Sequence, residues 1–357
     1  MKKRKTKLKK QTRVLFDKET KTIIKSEFDK FVIEEDYEVF FNTESGFEVL
    51  RGTGGKPDPF WTKLPLLCDI GIMGSCPNRC EFCYQGDIIE PHMTLENFKK
   101  IIDEVKHHTN QVALGGRGDP NLQPQFKEIV EYARKNNIAP NYTTSGIGLT
   151  DEQIEVSKLC GAVAVSDYER DYTYKAIQKF IDSGIKTNIH MIFTRYTADK
   201  VFKIIYGYNP WFYRGESSVD IDALNAVIFL LFKPQGSGVD LSWHPTLLQL
   251  ETFSQEVMKT KSPFKVGMDS CLVNWVVKNI KMTKRQKMSL DTCEGSRMSV
   301  YISPNMVMMP CSFANKADYG IQITEKKTID YIWNKSMKFK RFRSILKKNK
   351  ACCPAGF

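Results

Sequence analysis

Between residues 63 and 238 the chain alternates short apolar runs with amphipathic stretches, and that alternation leaves few folds open. The order reads LLCDIGIM, LENFKKIIDEVKHH, QVALGG, FKEIVEYARKNN, PNYTTSG, EQIEVSKLC, GAVAVS, YKAIQKFIDSG, KTNIHMIF, a helix near 198–206, and AVIFLLF. The apolar runs are strand-sized, and the segments between them place apolar residues at helical spacing. Parallel strands need a crossover of helical length, which is what each intervening segment supplies. The six units predict an α/β fold, a partial (β/α)6 barrel of parallel strands, with a doubly wound sheet as the other arrangement. In both, ligands collect at the carboxyl ends of the strands and in the loops that follow.

Three regions follow from this. Residues 1–62 are a basic N-terminal arm and an extension with strand-like runs at 31–33 and 37–41, closed by the Gly/Pro-rich boundary RGTGGKPDP. Residues 63–260 are the barrel, ending in a helix near 246–259, and the aperiodic stretch 209–220 with WFYRGESS reads as a substrate-facing insertion. Residues 261–357 form a small C-terminal α+β module. In it RMSVYIS and MVMMP are two strands around Pro304-Asn305, and IDYIWNKSMKFKRFRSIL is helical with Phe339, Phe342, Ile345 and Leu346 turned inward.

With 41% hydrophobic and 26% charged residues, the composition is that of a folded globular protein. The longest apolar run, 226–232, is too short for a membrane span, so no membrane partner is expected. The opening MKKRKTKLKK lacks the apolar segment of a secretory signal, which points to the cytoplasm. Seven basic residues in those first ten positions leave only +5 of the net +12 for the rest of the chain. Such an arm can grip phosphates, but a solvated tail has the same composition, and nucleic acid is not the expected partner. Ten cysteines without an export signal are not a disulfide framework, and metal or redox chemistry leads.

The run CPNRCEFC places Cys76, Cys80 and Cys83 on one loop directly after the first barrel strand. Three thiolates on a short loop can hold three irons of a cubane and leave the fourth open. An open coordination position separates a reactive centre from a structural one. The alternative is zinc completed by His92, although the spacing is not the paired Cys-x2-Cys arrangement zinc usually takes. After the second strand, QVALGGRGDPN offers Gly115 and Gly116, whose bare backbone lets a ligand approach closely. Thr143, Thr144 and Ser145, then Ser166, end the third and fourth strands with hydroxyls suited to ribose or carboxylate, or equally to capping and loop formation. His190 and Lys233 end the fifth and sixth strands, where a satisfied core histidine is the plainer reading. Cys68 and Cys160 have no metal-like spacing and read as buried apolar residues. In the C-terminal module Cys271, Cys293, Cys311, Cys352 and Cys353 allow four thiols to converge on a closed iron–sulfur cluster, with zinc as the alternative occupant.

Cys-x3-Cys-x2-Cys, with Phe82 before the third cysteine and Tyr84 after it, resembles the motif of the radical S-adenosylmethionine superfamily. The resemblance implies a 4Fe-4S cluster on Cys76, Cys80 and Cys83 whose open iron binds S-adenosylmethionine. Reductive cleavage there would give a 5'-deoxyadenosyl radical that abstracts a substrate hydrogen. It implies cofactor contacts at Gly115, Gly116, Ser145 and Ser166, with Arg117 standing where an acidic residue is common. The C-terminal stretch, with IWN and FKRFR, resembles the twitch and SPASM modules of that family. Fewer cysteines than a full SPASM module uses imply one auxiliary cluster of the twitch form, on Cys271, Cys293, Cys311 and Cys353. The tail CCPAGF lacks the last cysteine of the usual Cys-Pro-x-Cys ending.

Peptide or protein modification is the implied activity, with an electron donor such as flavodoxin or ferredoxin. A dehydrogenase or epimerase of a small molecule is the next reading. From another class, a non-catalytic iron–sulfur or zinc protein could bind nucleic acid through the arm and the KRFRSILKKNK helix. No catalytic residue beyond the cluster is identified, and Tyr301 and Cys311 are the candidates for quenching a substrate radical.

Overall fold

The computed structural model describes residues 15–16, 23–24, 29–348 apart from 88, 214–215, 218, 285, 287–289 and 291, and residues 353–355. The basic arm and Cys352 lie outside the described residues.

An antiparallel meander comes first: β1 (Asp29–Ile33), β2 (Tyr37–Asn42) and β3 (Glu48–Gly52). Two of these strands coincide with the apolar runs of the extension, and β3 joins them on the far side of β2. The meander is locked to the base of the barrel by Lys30. Its buried ammonium donates to the carbonyls of Lys106 at 3.0 Å and Asn137 at 3.3 Å, and to that of Thr109. Burial lowers the Lys30 pKa to about 7.

The barrel strands are β4 (Leu67–Gly74), β5 (Gln111–Arg117), β6 (Ala139–Thr144), β7 (Ala162–Ser166), β8 (Thr187–Phe193) and β9 (Ala226–Leu231). They pair in parallel and in sequence order, which is the partial barrel rather than the doubly wound arrangement. The parallel sheet also takes in β10 (Lys265–Met268) beside β9 and β11 (Ser299–Ile302) beside β4. Both were absent from the count of six. Four residues around a glycine give β10 no apolar run, and β11 reads locally as half of a hairpin. That hairpin exists: β12 (Val307–Met309) runs antiparallel to β11, and β13 (Ile321–Gln322) antiparallel to β12.

Helices α1 (Leu95–Val105), α2 (Phe126–Lys135), α3 (Asp151–Ser157), α4 (Asp171–Asp182), α5 (Ala198–Ile205), α6 (Leu247–Glu256) and α7 (Ser270–Asn279) follow the strands. Thr150 with Gln153, and Thr246 with Gln249, form reciprocal capping boxes that start α3 and α6. Apolar residues at helical spacing, such as Phe98, Ile101, Ile102 and Val105 of α1, share one core with Cys68, Ile70 and Ile72 of β4. Each such side chain, once buried, stabilises the fold by roughly 1.5–3 kcal/mol. The alternate strand positions Asp69, Ala113, Gly115, Thr143, Ser166 and His190 stay half-buried on the opposite, inner face.

At the C-terminus α8 (Ile329–Lys335) and α9 (Met337–Lys348) turn Phe339, Phe342 and Leu346 inward, while Ile345 is half-buried. Arg343 is buried too, donating to the carbonyl of Trp333 at 2.7 Å. In the stretch read as a substrate-facing insertion, Trp211 is fully buried and donates its indole N–H to Asp167 at 2.9 Å, anchoring the segment from below. No helix among the described residues is long and apolar enough to cross a membrane.

Candidate metal centre and its surroundings

Cys76, Cys80 and Cys83 are free, half-buried thiols in the loop that leaves β4. The loop begins folding on itself: the Cys83 amide donates to Cys80 O at 3.1 Å and the Gly86 amide to Cys83 O at 3.3 Å. Two other strand ends then press on it. Gly118 beyond β5 has φ +106°, and a Cβ there would lie 2.3 Å from Ser75 O and 3.1 Å from the Cα of Cys76. Beyond β9 the Ser237 amide donates to Cys83 O at 2.8 Å. A Cβ on Gly236 (φ +66°) would lie 2.6 Å from that same carbonyl. Backbone, not side chain, meets the cysteine loop on both flanks, and glycine is what allows the approach.

Side chains finish the clamp. Arg117, in the place where an acidic residue is common in the family, donates from its guanidinium to the carbonyls of Gln85 and Gly86. It holds the loop rather than offering an anion. Gly116 (φ +105°) lets β5 close on β4, since a Cβ would lie 2.5 Å from Met73 O. At Gly115 a Cβ would meet only Asp69 Oδ1, at 3.8 Å, so this bare edge faces the barrel interior.

Asp119 is buried and accepts from the Ser145 amide at 2.8 Å and the Ser145 hydroxyl at 2.6 Å, with the Thr144 hydroxyl at 2.9 Å. Burial raises its pKa, and these hydrogen bonds pull it back. Asn78 of the cysteine loop donates to the Ser145 hydroxyl at 3.1 Å. Ser145, 1% exposed, is thus occupied in bracing Asp119 and Asn78. Ser166 is half-buried on the inner face. Phe82 sits between Tyr168 at 5.3 Å and Trp243 at 5.7 Å between ring centroids, sealing one side of the loop.

Burial pushes the Cys80 thiol up to about 11, and the neighbouring Cys83 and Cys76 add to it. Cys76 also rises, by burial first, against the hydrogen bond it accepts from Asn78. Burial and close spacing disfavour the thiolates of Cys76 and Cys80, and a soft cation that displaces their protons relieves both. Among the described residues no three His, Cys, Asp or Glu side chains converge on a point that one ion would fill. A cubane does not require such a point, because each thiolate takes its own iron. His92, the fourth zinc ligand in the alternative reading, has Nδ1 engaged by the Gly74 amide at 3.0 Å. The donor set fits an iron–sulfur cluster.

The C-terminal cysteines form a second group. Cys271, on the first turn of α7, lies near Cys353, and that neighbour together with burial raises its thiol. Burial raises Cys293 to about 11 and Cys311 to about 12, and each also feels the charge of Cys353. Among the cysteines set apart as apolar, Cys68 is fully buried, while Cys160 is half-buried with its thiol raised by desolvation.

Between the two groups stand the Tyr84 and Phe313 rings, 4.7 Å apart, and Asp69, whose carboxyl burial lifts to about 7 against a hydrogen bond from Ser312. Tyr301 is buried on the same wall, pairing with Asp69 in register. His190 lines the interior with its pKa lowered to about 4 by desolvation, and Lys233 is buried against Asp269.

Sequence reading left out Asn78, Asp119 and Gly118. Asp119 and Gly118 sit in the GGRGDPN run, where a glycine either side of an arginine signals a backbone approach. Asn78 gives no signal beyond its place between Cys76 and Cys80.

A family profile described as the radical SAM superfamily matches residues 70–167. A tungsten-containing aldehyde ferredoxin oxidoreductase cofactor-modifying protein of Pyrococcus furiosus is 25% identical over 138 residues, 38% of this chain and 36% of that relative's length. Streptococcus suis SuiB bound to S-adenosylmethionine superposes with a TM-score of 0.67 at 12% identity, covering 89% of this chain and 90% of that one. The enzyme anSMEcpe with bound S-adenosylmethionine and a Cp18Cys peptide gives 0.53 at 14% identity, with 78% and 82% covered. The matched profile spans the three-cysteine loop and the ends of β5, β6 and β7, and over those residues the chain is that of the radical S-adenosylmethionine superfamily.

Proposed function

We propose that this chain reductively cleaves S-adenosylmethionine at a 4Fe-4S cluster on Cys76, Cys80 and Cys83, and modifies a peptide or protein side chain. The observation that carries it is the three-thiol loop held by backbone from β4, β5 and β9 at the carboxyl ends of the strands. When bound, the cluster supplies the electron that breaks the sulfonium bond of S-adenosylmethionine, freeing a 5'-deoxyadenosyl radical to take a hydrogen from the substrate.

The chain's own residues supply position and shelter. Arg117 and the Ser237 amide fix the loop carbonyls, which would hold the three thiols in place around a bound cluster. Gly115 leaves room on the inner face, and Ser166 offers a hydroxyl there. Phe82, packed on Tyr168 and Trp243, keeps water from the loop's flank. Asp69, Thr143 and His190 line the interior with groups able to hydrogen-bond a substrate. The grouping of Cys271, Cys293, Cys311 and Cys353 supports one auxiliary iron–sulfur cluster in a twitch- or SPASM-like module. Peptide as substrate class is supported by the likeness to SuiB, which has been seen with its precursor peptide SuiA, and to peptide-bound anSMEcpe.

The test is anaerobic reconstitution with iron and sulfide, reduction with S-adenosylmethionine present, and chromatography for 5'-deoxyadenosine. Product from the wild type is expected. Bound iron and sulfide with no 5'-deoxyadenosine under reduction, with peptide and small-molecule substrates supplied, sinks the reading in favour of a non-catalytic metal protein.

A further inference from the structure

Arg343 of α9 is 6% exposed, and among the described residues no carboxylate answers its charge. The guanidinium lies over two rings, 4.6 Å from the centroid of Trp333 and 5.5 Å from that of Trp61. Nη1 donates to the Trp333 carbonyl at 2.7 Å and Nε to the Ser296 carbonyl at 2.5 Å, while Nη2 is buried without a partner. Buried charges are ordinarily paired, and leaving one unpaired is costly.

What Arg343 grips is the turn that carries Cys293. Ser296, fully buried at φ +62°, donates its own amide to Ser299 O at 2.8 Å and to Pro310 O at 3.1 Å, and Pro310 directly precedes Cys311. Arg297 closes the same turn, donating to Cys293 O at 3.1 Å. A Cβ on Gly295 would lie 3.5 Å from Cys293 Sγ and 3.4 Å from the ring of Phe342, the neighbour of Arg343. Cys293 and Phe342 share one buried cluster, with Cys311 packed against it. A single peptide unit, that of Ser296, thus joins the unpaired guanidinium to the segments of both thiols.

We propose that Arg343 is a positioning residue of the C-terminal thiol site: through Ser296 it sets Cys293 and Cys311, and its unpaired charge offsets that of the anionic cluster they hold. This rests on reading Cys271, Cys293, Cys311 and Cys353 as ligands of one auxiliary cluster. Two carbonyls could be held by a neutral donor, without the cost of burying a charge. The charge gains a counterpart once four thiolates gather around iron and sulfide beside it. Reduction adds one more negative charge to such a cluster, and a nearby cation stabilises it, raising the potential.

The full-length chain carrying Cys76→Ala, Cys80→Ala and Cys83→Ala isolates the second site. After reconstitution with iron and sulfide it is titrated with dithionite and followed by electron paramagnetic resonance. Arg343→Gln keeps a donor for the Ser296 carbonyl and loses the charge. It is expected to lower the midpoint by a tenfold change in the reduction equilibrium, about 59 mV for one electron. Arg343→Lys keeps the charge and is expected to stay near the parent midpoint. Phe339→Leu loosens the same helix without altering charge, and is expected to lower thermal stability and leave the midpoint in place. An Arg343→Gln protein with full iron and an unmoved midpoint overturns the proposal. So does an equal shift in Phe339→Leu, which would make the effect one of packing. If Arg343→Gln holds no cluster, Arg343→Lys decides: full iron at the parent midpoint upholds the assignment, and loss of iron or a lowered midpoint overturns it. A parent chain that binds no iron at the second site overturns the cluster reading itself, and metal analysis of the parent tells that failure from the others.

Discussion

The two cysteine groups are built on opposite plans. The first packs three half-buried thiols into eight residues and is held almost wholly by backbone: glycine approaches from β5 and β9, and carbonyls gripped by Arg117. The second gathers thiols from 271 to 353, with Cys293 buried and Cys271, Cys311 and Cys353 half-buried, and places one of them at a helix start. A site that must exchange ligands cannot let its own side chains close over the metal, so its rigidity has to come from the main chain. A site that only stores or passes charge is free to be enclosed, and enclosure lets nearby side chains tune it. The largest effect expected from this contrast is on turnover. Cys76→Ala, Cys80→Ala and Cys83→Ala should each abolish 5'-deoxyadenosine formation, whereas Cys271→Ala should remove the second site's iron and leave cleavage measurable. Equal loss of product in both sets would show that the two sites do not divide their labour.

Asp69 stands on the wall between the groups, and it sharpens the comparison through pH. Burial raises its carboxyl to about 7, above its unfolded value near 4, with only the Ser312 hydrogen bond opposing. The folded state therefore favours the protonated acid. Its stabilising contribution is fully present below the unfolded pKa and is lost as pH rises through the folded one. By pH 8 the wild type should have given up roughly 2–4 kcal/mol relative to Asp69→Asn, because each tenfold difference in proton affinity between the folded and unfolded chain is worth about 1.4 kcal/mol. Denaturant midpoints of both proteins at pH 4 and pH 8 read this directly. A wild-type-minus-variant difference that stays flat with pH would mean the wall is open to water.

The fold and the first site were far more legible than the second site's surroundings, for a local reason. Strands β4 to β9 announce themselves by apolar runs, and CPNRCEFC holds its three cysteines within eight residues. β10 was invisible because KVGM is short and its pairing with β9 is tertiary. Ser145 was read as a cofactor contact because it ends a strand, but what its hydroxyl does depends on Asp119, twenty-six residues earlier. Lys233 was noticed for its position, and only the fold placed Asp269, thirty-six residues later, against it. Spacing carries what lies on one loop, and nothing in it reports partners brought together by the sheet.

If backbone approach is what rigidifies the first site, a single methyl should damage it and spare the second. Gly118→Ala adds a Cβ 2.3 Å from Ser75 O at φ +106°. Strain of that kind costs about 1–3 kcal/mol, and here it is relieved only by moving the loop that carries Cys76. The variant should reconstitute with iron at the C-terminal group alone, as judged by metal analysis against the Cys76→Ala protein. A full complement of iron would show that the loop yields without losing its ligands.

The smallest effect belongs to the side chains that finish the clamp. Asn78 is placed between Cys76 and Cys80, and its amide ties the loop to Ser145 at 3.1 Å, hence to Asp119 beneath. Asn78→Ala removes that hydrogen bond, worth about 1 kcal/mol or roughly a fivefold change in an equilibrium constant, and a longer one accepted from the Tyr172 hydroxyl at 3.5 Å. The backbone contacts from Gly118 and Ser237 remain, so the cluster should still assemble. What should change is how readily the loop opens: under a chelator, iron should leave the first site several-fold faster in the variant, while release from the second site keeps its wild-type rate. An unchanged rate at the first site would mean that backbone alone holds the loop, which makes the contrast between the two groups sharper still. Faster loss from both would mean that they open together, and that the wall of Asp69, Tyr84 and Phe313 couples them.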